Sequence, residues 1–352
     1  MNRLQYDYMF SPKYTITERL LSNIKRINTM VHNLNNRRFP EVVLLRMERI
    51  AREVSTYAST SIEGNPLPLT EVKKILKSQP AHMRDSEREV LNYNQALKNL
   101  NNLLKKGDVR VSLELILAIQ NQITAGLLSE TEIGKLRRKH VVVNDPKTGK
   151  VVYLPPDIKD LESLMQDLTE FVAREKVSID PLILAGIFHK QMVIIHPFVD
   201  GNGRTTRLAT KVLLAQMGLN TFNLFSFENY YNNNVTKYFQ TVGEFGNYYD
   251  LAGKIDFTIW LEYFTEGIID ELLRVEKLLP DIVSGPETHL EDYHLKLLNH
   301  IREKGYIKDS EYAKFAGRAK ATRTQDFNKL IKLGLIERTG KGKATYYVLK
   351  RA

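Results

Sequence analysis

His196-Pro197-Phe198-Val199-Asp200-Gly201-Asn202-Gly203-Arg204-Thr205-Thr206-Arg207 is the stretch from which the rest of the chain can be read. Residues 181–195 run into it with apolar side chains at helical spacing, and residues 203–217 resume a helical pattern after it. It is therefore a Gly-rich turn between two helices, and the second helix opens on arginines at i and i+3. The start of a helix presents unpaired N–H groups and the positive end of the helix dipole. Glycine lets the backbone approach an anion closely and adopt positive φ. Together these make a phosphate cradle. Arg204 and Arg207, one turn apart, can add charge-assisted bonds to further phosphate oxygens. Asp200 is the residue type that holds a magnesium ion shared with phosphates. His196, at the end of the preceding helix, is a candidate general base.

Outward from the turn, helical apolar spacing covers most of the chain. Residues 17–36 carry Leu20, Leu21, Ile24, Ile27 and Val31 on one stripe, and residues 41–61 carry Val42, Leu45, Ile50, Val54 and Tyr57. The second of these helices halts at Gly64-Asn65-Pro66, a stop signal. Helices are also predicted over 69–78, capped by Thr70, and over 84–105, 112–125, 157–175 and 257–278. Residues 139–143 and 150–154 are β-branched runs around Asn144-Asp145-Pro146-Lys147-Thr148-Gly149, which predicts a β-hairpin isolated in a helical protein. Such a hairpin is marginal alone, so it packs on something or serves as a flap. A linker is expected over 279–287, around Pro280, Gly285 and Pro286. Beyond it lie helices over 292–304, 310–316 and 321–333, then residues 334–338, a Gly340-Lys341-Gly342-Lys343 turn and a strand over 344–349. Three helices followed by a two-stranded wing is the order of a winged helix-turn-helix. The expected fold class is mainly α: a helical bundle with a β-hairpin flap, plus that C-terminal element.

At 352 residues, the chain has room for two to three domains of about 150 residues. Its 43% apolar and 26% charged residues exclude wholesale disorder. The absence of cysteine excludes a disulfide scaffold, a cysteine nucleophile and a thiolate zinc site, and it suits a cytoplasmic location. No signal-type apolar segment opens the chain, and no apolar run approaches the length of a membrane span. The net charge is +10, and residues 314–352 hold eleven Lys/Arg against two acids. Arg318, Lys320 and Arg323 at the head of the third C-terminal helix, with Lys341 and Lys343 on the wing, suit contact with DNA. A solvated basic face and a plain protein-interaction module are the competing readings.

The stretch at 196–207 fits H-x-F-x-[D/E]-G-N-G-R-x-x-R at every fixed position, and through it the chain resembles the Fic family. The resemblance runs from about Leu113 to Leu273 and takes in the hairpin and Tyr153-Leu154-Pro155-Pro156. It implies a Fic catalytic core over 111–279, preceded by an N-terminal helical region over 1–110 with an inhibitory helix; the element order adds a winged-helix domain over 287–352. It further implies a protein adenylyltransferase that moves AMP from ATP to a hydroxyl of a target protein, with Mg2+. In that scheme His196 deprotonates the hydroxyl and Asp200 is the metal ligand. Gly201, Asn202 and Gly203 cradle the anion, and Arg204, Thr205 and Arg207 hold phosphates. Phe198 seats the loop. The related Doc kinases carry lysine at the second glycine of the turn, so Gly203 favours nucleotidyl over phosphoryl transfer. The hairpin becomes a flap, with Val143, Asn144 and Tyr153 beside the nucleotide and the target chain added as a strand. Tyr238 and Phe239 are implied as the aromatics near adenine.

Ser59-Thr60-Ser61-Ile62-Glu63-Gly64 fits the family's inhibitory pattern [S/T]-x-x-x-E-[G/N]. Ser59 and Glu63, at i and i+4, share one helix face. The resemblance implies that Glu63 pairs with Arg207 and so displaces the γ-phosphate from the same guanidinium fork. Three rivals stand beside this reading: a de-AMPylase using Glu63 as base, a transcriptional regulator whose Fic core senses nucleotide, and transfer of a different phosphate-linked group. A homodimer is compatible with the sequence.

Overall fold

The computed structural model describes residues 10–37, 39–78, 82–107, 109–145, 148–215, 226–284 and 289–350. The chain clusters into two compact units. One joins the residues up to Asn36 with Ala51–Leu273, and the other joins Arg37–Ile50 with Arg274–Ala352.

The chain opens with α1 (Glu18–Asn35), α2 (Glu41–Ile62), α3 (Leu69–Lys77) and α4 (Asp85–Lys106). Thr17 caps α1 by accepting the Leu20 N–H, and the buried stripe of that helix is Leu20, Ile24, Ile27, Met30, Val31 and Leu34. The N-cap of α3 is Pro68, not Thr70 as expected. Proline has no N–H to orphan and its locked φ suits that position. Then come α5 (Leu113–Thr124), β1 (Val143–Asn144), β2 (Val151–Leu154), α6 (Leu161–Glu175), α7 (Pro181–Ile195) and α8 (Asn202–Leu214). They are followed by α9 (Glu228–Asn233), α10 (Val235–Val242), β3 (Gly246–Asn247), α11 (Tyr248–Leu251) and α12 (Thr258–Ser284). Gln216 and Met217, the end of the helix expected over 203–217, lie outside the described residues.

The interior of the first unit is organised by α7. Every residue from Leu182 to Met192 is buried, including the polar His189, Lys190 and Gln191. It packs on α8 and α6, while α8 packs on α5 and α4. The Trp260 indole N–H of α12 donates to the Gly186 carbonyl at 2.7 Å, fixing α12 to the middle of α7. A hairpin forms with Val143 opposite Tyr153, but its first strand is only Val143–Asn144 instead of 139–143, Asn144 pairs with Val151 instead of lying in the turn, and the hairpin is not isolated. Strand β3 adds to β2 in parallel, with Tyr153 opposite Gly246. At two residues, β3 is too short to leave a periodicity.

The linker expected from 279 is also corrected, because α12 continues through Pro280 to Ser284. A proline inside a helix costs about 3 kcal/mol. Leu279 and Ile282, both buried, flank it and offset that cost. Residues 285–287 of the expected linker lie outside the described residues. Because the division between the units falls at Ile50/Ala51 and Leu273/Arg274, α2 and α12 each contribute to both.

The second unit contains α13 (Asp292–Lys304), α14 (Asp309–Ala316), α15 (Lys320–Lys332), β4 (Ile336–Thr339) and β5 (Tyr346–Leu349). Strands β4 and β5 pair antiparallel, Ile336 opposite Leu349, and Ile307 bridges to Tyr347. Phe327 of α15 lies flat on Tyr347, ring centroids 3.8 Å apart. Buried Asp326 accepts from Tyr312 Oη at 2.9 Å and from Arg318 at 2.9 and 3.2 Å. Arg318 also lies 3.7 Å over the Tyr293 ring. Arg323 pairs with Asp309 through two bonds of 2.8 Å. Two of the five basic residues expected to face DNA, Arg318 and Arg323, are therefore engaged inside the unit. Among the described residues, no helix is long and apolar enough to cross a membrane.

Candidate active site

The six residues between α7 and α8 form a tightly laced loop. His196 caps α7 in the left-handed region at φ 51°, its N–H donating to Met192 O at 3.1 Å. It is the one non-glycine residue with positive φ among the described residues. Arg137 holds the His196–Pro197 backbone. Its Nε donates to His196 O at 2.9 Å, its own backbone N–H to Pro197 O at 2.9 Å, and Nη2 to Pro156 O at 2.5 Å. Asn202 closes the turn from within: its Oδ1 accepts the Phe198 N–H and its Nδ2 donates to Phe198 O, both at 2.9 Å. Phe198 is fully buried, the seat expected of it. Gln120 of α5 donates to Asp200 O at 3.2 Å. Gly201 is the N-cap of α8 at φ 83°, a conformation that costs glycine nothing.

The His196 ring places Nδ1 at 3.3 Å from Val193 O. A carbonyl can only accept, so the proton belongs on Nδ1 and Nε2 carries the free lone pair. Desolvation pushes the His196 pKa below the ordinary histidine range, which keeps the ring neutral. This is the protonation state a general base needs.

Arg207 is wholly buried and faces α2. Nε donates to Ser59 Oγ at 2.8 Å, and Nη2 donates to Ser59 O at 2.8 Å and to Glu63 Oε1 at 2.7 Å. Burial opposes the Arg207 charge, but Glu63 beside it holds the guanidinium above its ordinary pKa range. The Glu63 carboxylate lies directly over Gly203, where any Cβ would collide with it. A carboxylate thus occupies the mouth of the turn expected to take an anion. Arg207 Nη1 is buried with no hydrogen-bond partner. Ser59 and Glu63 therefore meet Arg207 together, the pairing that the resemblance implied.

Arg204 is held by two carboxylates, Glu89 of α4 at 2.6 Å and Asp200 at 2.8 Å. Its Nε and the hydroxyl of Thr205 are buried without partners. The described residues contain no group of three or more His, Cys, Asp or Glu that could cage a metal. Asp200, 48% exposed at its side chain, offers one carboxylate. One carboxylate supplemented by phosphate oxygens is a donor set that suits magnesium.

A second buried cluster fastens α2. Glu228 Oε1 of α9 accepts from Ser55 Oγ at 3.1 Å and Tyr93 Oη at 3.0 Å, and Lys211 of α8 pairs with it at 3.1 Å. Sequence reasoning missed Glu89, Gln120, Arg137 and Glu228. No local pattern marks them, because each acts on residues distant in sequence.

Two expectations are corrected. Tyr238 does not offer a face to a base: it is 1% exposed, stacks on Tyr231 with centroids 4.7 Å apart, and its hydroxyl lies 3.1 Å from His189 Nε2. Val235, Tyr238, Phe239 and Val242 at i, i+3, i+4 and i+7 were a core stripe, the signal that could have told this. Phe239 is half-buried beside it. Tyr153 is likewise buried, donating to Ile194 O at 3.0 Å, so it anchors the flap to α7 instead of facing a nucleotide. Val143 is half-buried and Asn144 exposed.

Residues 110–214 match the Fic/DOC family. The chain is 30% identical over 218 residues to a protein adenylyltransferase Fic of Drosophila erecta, covering 56% of this chain and 42% of that one. It is 31% identical over 179 residues to protein adenylyltransferase fic-1 of Caenorhabditis elegans, covering 50% and 34%. The match thus spans less than half the length of either curated relative. Among solved structures, a Fic family protein from Desulfovibrio desulfuricans G20 shares the fold with a TM-score of 0.65 at 21% identity, over 97% of this chain and 98% of that one. Residues 134–508 of Caenorhabditis elegans Fic-1 give 0.58 at 22% identity, over 74% and 73%.

Proposed function

From a chain that carries a Fic/DOC domain, we propose a protein adenylyltransferase that transfers AMP from ATP to a target hydroxyl and is restrained by Glu63. The observation that carries this reading is the Glu63 carboxylate on Arg207 above Gly203: an anion already rests where the turn would take a phosphate. In the transfer, the target hydroxyl oxygen attacks the α-phosphorus and its proton passes to His196 Nε2. The bond from the α-phosphorus to the bridging oxygen breaks and pyrophosphate leaves. The N–H groups that open α8, together with Arg204 and Arg207, bind the phosphate end, with Arg207 Nη1 and Arg204 Nε as the donors still without partners. A magnesium ion held by Asp200 and the phosphates would neutralise charge on the leaving group. The edge strand β1 is where a target segment would add.

Glu63 competes with the γ-phosphate for one guanidinium, so the resting site binds ATP poorly in the productive pose. The comparisons do not favour the three rival readings. Incubation with magnesium and ATP labelled on the α-phosphate tests the proposal. Label should appear on the chain and on lysate proteins, more strongly with Glu63→Gly. Label from the γ-phosphate instead would mean phosphoryl transfer.

For the second unit we propose a winged helix that contacts duplex DNA through lysines, not through Arg318 and Arg323. The support is the element order and the exposure of Lys314, Lys320 and Lys341. A mobility-shift titration at low salt checks it, and no shift at tens of micromolar protein, about the range of non-specific binding, would reassign the unit to protein contacts.

A further inference from the structure

The two carboxylates on Arg204 are not equivalent. The Asp200 side chain stands on the loop and is 48% exposed. That of Glu89 is 15% exposed, and its second oxygen accepts from Asn65 Nδ2 at 2.6 Å. Asn65 is itself fixed on three sides: Nδ2 also donates to Ser86 O at 2.9 Å, Oδ1 accepts the Leu67 N–H at 3.1 Å, and the backbone N–H donates to Thr60 O at 3.1 Å. Asn65 follows Glu63 by two residues. A continuous polar chain therefore runs from the end of α2, through Asn65 and Glu89, to Arg204.

We infer that Glu89 is a positioning residue for Arg204, one that keeps the guanidinium oriented toward phosphate when Asp200 turns to a metal ion, and that Asn65 ties this orientation to the segment carrying Glu63. The inference rests on the nucleotide site proposed above. Arg204 uses Nη1 on Glu89 and Nη2 on Asp200, while Nε has no partner. A magnesium ion and Arg204 would draw on the same Asp200 oxygens. With Glu89 present, losing Asp200 leaves Arg204 with a buried anchor, and frees Nη2 as well as Nε for phosphate oxygens. Without Glu89, Asp200 is the carboxylate left to Arg204 among the described residues, and metal and arginine compete for it. Glu89 also balances a guanidinium whose side chain is 4% exposed, and a buried charge stripped of a partner is costly.

The test is calorimetric binding to the full chain carrying Glu63→Gly and His196→Ala, which opens the site and prevents turnover. Glu89→Ala in this parent should weaken ATP about tenfold in the presence of Mg2+, and raise the Mg2+ concentration needed for tight ATP binding. AMP, which lacks the phosphates that Arg204 would hold, should change less than twofold. Glu89→Gln keeps the shape and one acceptor for Arg204, so its loss should be smaller, about twofold to threefold. It also reports on the site if the alanine variant fails to fold. ATP affinity unchanged in Glu89→Ala, or equal losses for ATP and AMP in both variants, would overturn the positioning role alone. Failure of the parent to bind ATP at all would overturn the nucleotide site and this inference together.

Discussion

Arg204 and Arg207 on α8, and Arg318 and Arg323 around α15, all rest against carboxylates, and all four read in sequence as binders of phosphate. In the first unit each guanidinium is buried, yet each retains a nitrogen with no partner. The Arg207 carboxylate comes from the turn that follows α2, is a quarter exposed, and sits over a glycine that leaves it room. In the second unit Arg318 is clamped by bidentate bonds to a buried aspartate that also satisfies Tyr312, with Tyr293 beneath the guanidinium plane. Arg323 is fixed by two bonds to Asp309 and one to the Arg318 carbonyl at 2.6 Å. In the proposed site one carboxylate of each of the first pair, Asp200 on Arg204 and Glu63 on Arg207, gives way to phosphate, while the second pair holds helices together. A basic residue thus identifies an anion site only when its existing partner can leave.

The largest test of that contrast removes the base and leaves the arginines. His196→Ala should lower transfer by about 10²- to 10⁴-fold, the usual weight of a general base, while ATP affinity stays within twofold. Retention of a tenth of the turnover would mean that the site works without it. Next in size, Asp326→Ala leaves the buried Tyr312 hydroxyl without its acceptor and should cost about 1–3 kcal/mol in chemical denaturation of the second unit, with no gain of any activity. Removing the corresponding carboxylate of the first unit should do the reverse. Glu63→Gly should raise auto-modification about tenfold or more, and adding Arg207→Ala should cancel the gain, because both act at one contact. A gain that survives in the double variant would break the comparison.

On the DNA side, Lys320→Ala with Lys341→Ala should reduce the dependence of log affinity on log salt by about 2, one phosphate per lysine. Arg323→Ala should leave that slope unchanged and show its effect in thermal stability. The smallest effect concerns pH. Because desolvation lowers the His196 pKa below its model-compound value of 6.5, its basic form dominates from that pH upward. The rate of Glu63→Gly should therefore change less than twofold between about pH 6.5 and 8, and fall as pH drops through the depressed pKa. A rate still climbing steeply at pH 7.5 would place the essential base elsewhere.

The residues legible in sequence share one property: their chemistry is local. His196 through Arg207 meet within a single turn, and Ser59 and Glu63 stand one helical turn apart. Glu89, Arg137 and Glu228 were not legible, because α4, the segment before β1, and α9 reach the site only through tertiary packing. Tyr238 and Tyr153 were misread for the opposite reason. Aromatic type marks a side chain that can stack on a base, but burial decides whether it is free to, and both hydroxyls are turned to interior partners. At Pro280 a local stop signal was outweighed by the burial of Leu279 and Ile282.

The left-handed backbone at His196 has a consequence for how this chain could change over generations. An L-residue with a Cβ pays about 1–2 kcal/mol to remain in that region, and the bonds from Arg137 hold it there. Glycine would adopt the same φ without strain. Among inactive variants, His196→Gly should therefore unfold at a higher temperature than His196→Ala, the reverse of their order inside a regular helix. Were the proposed transfer no longer selected, the backbone itself would favour glycine over the imidazole, and a drifting lineage would shed His196 before it shed the fold.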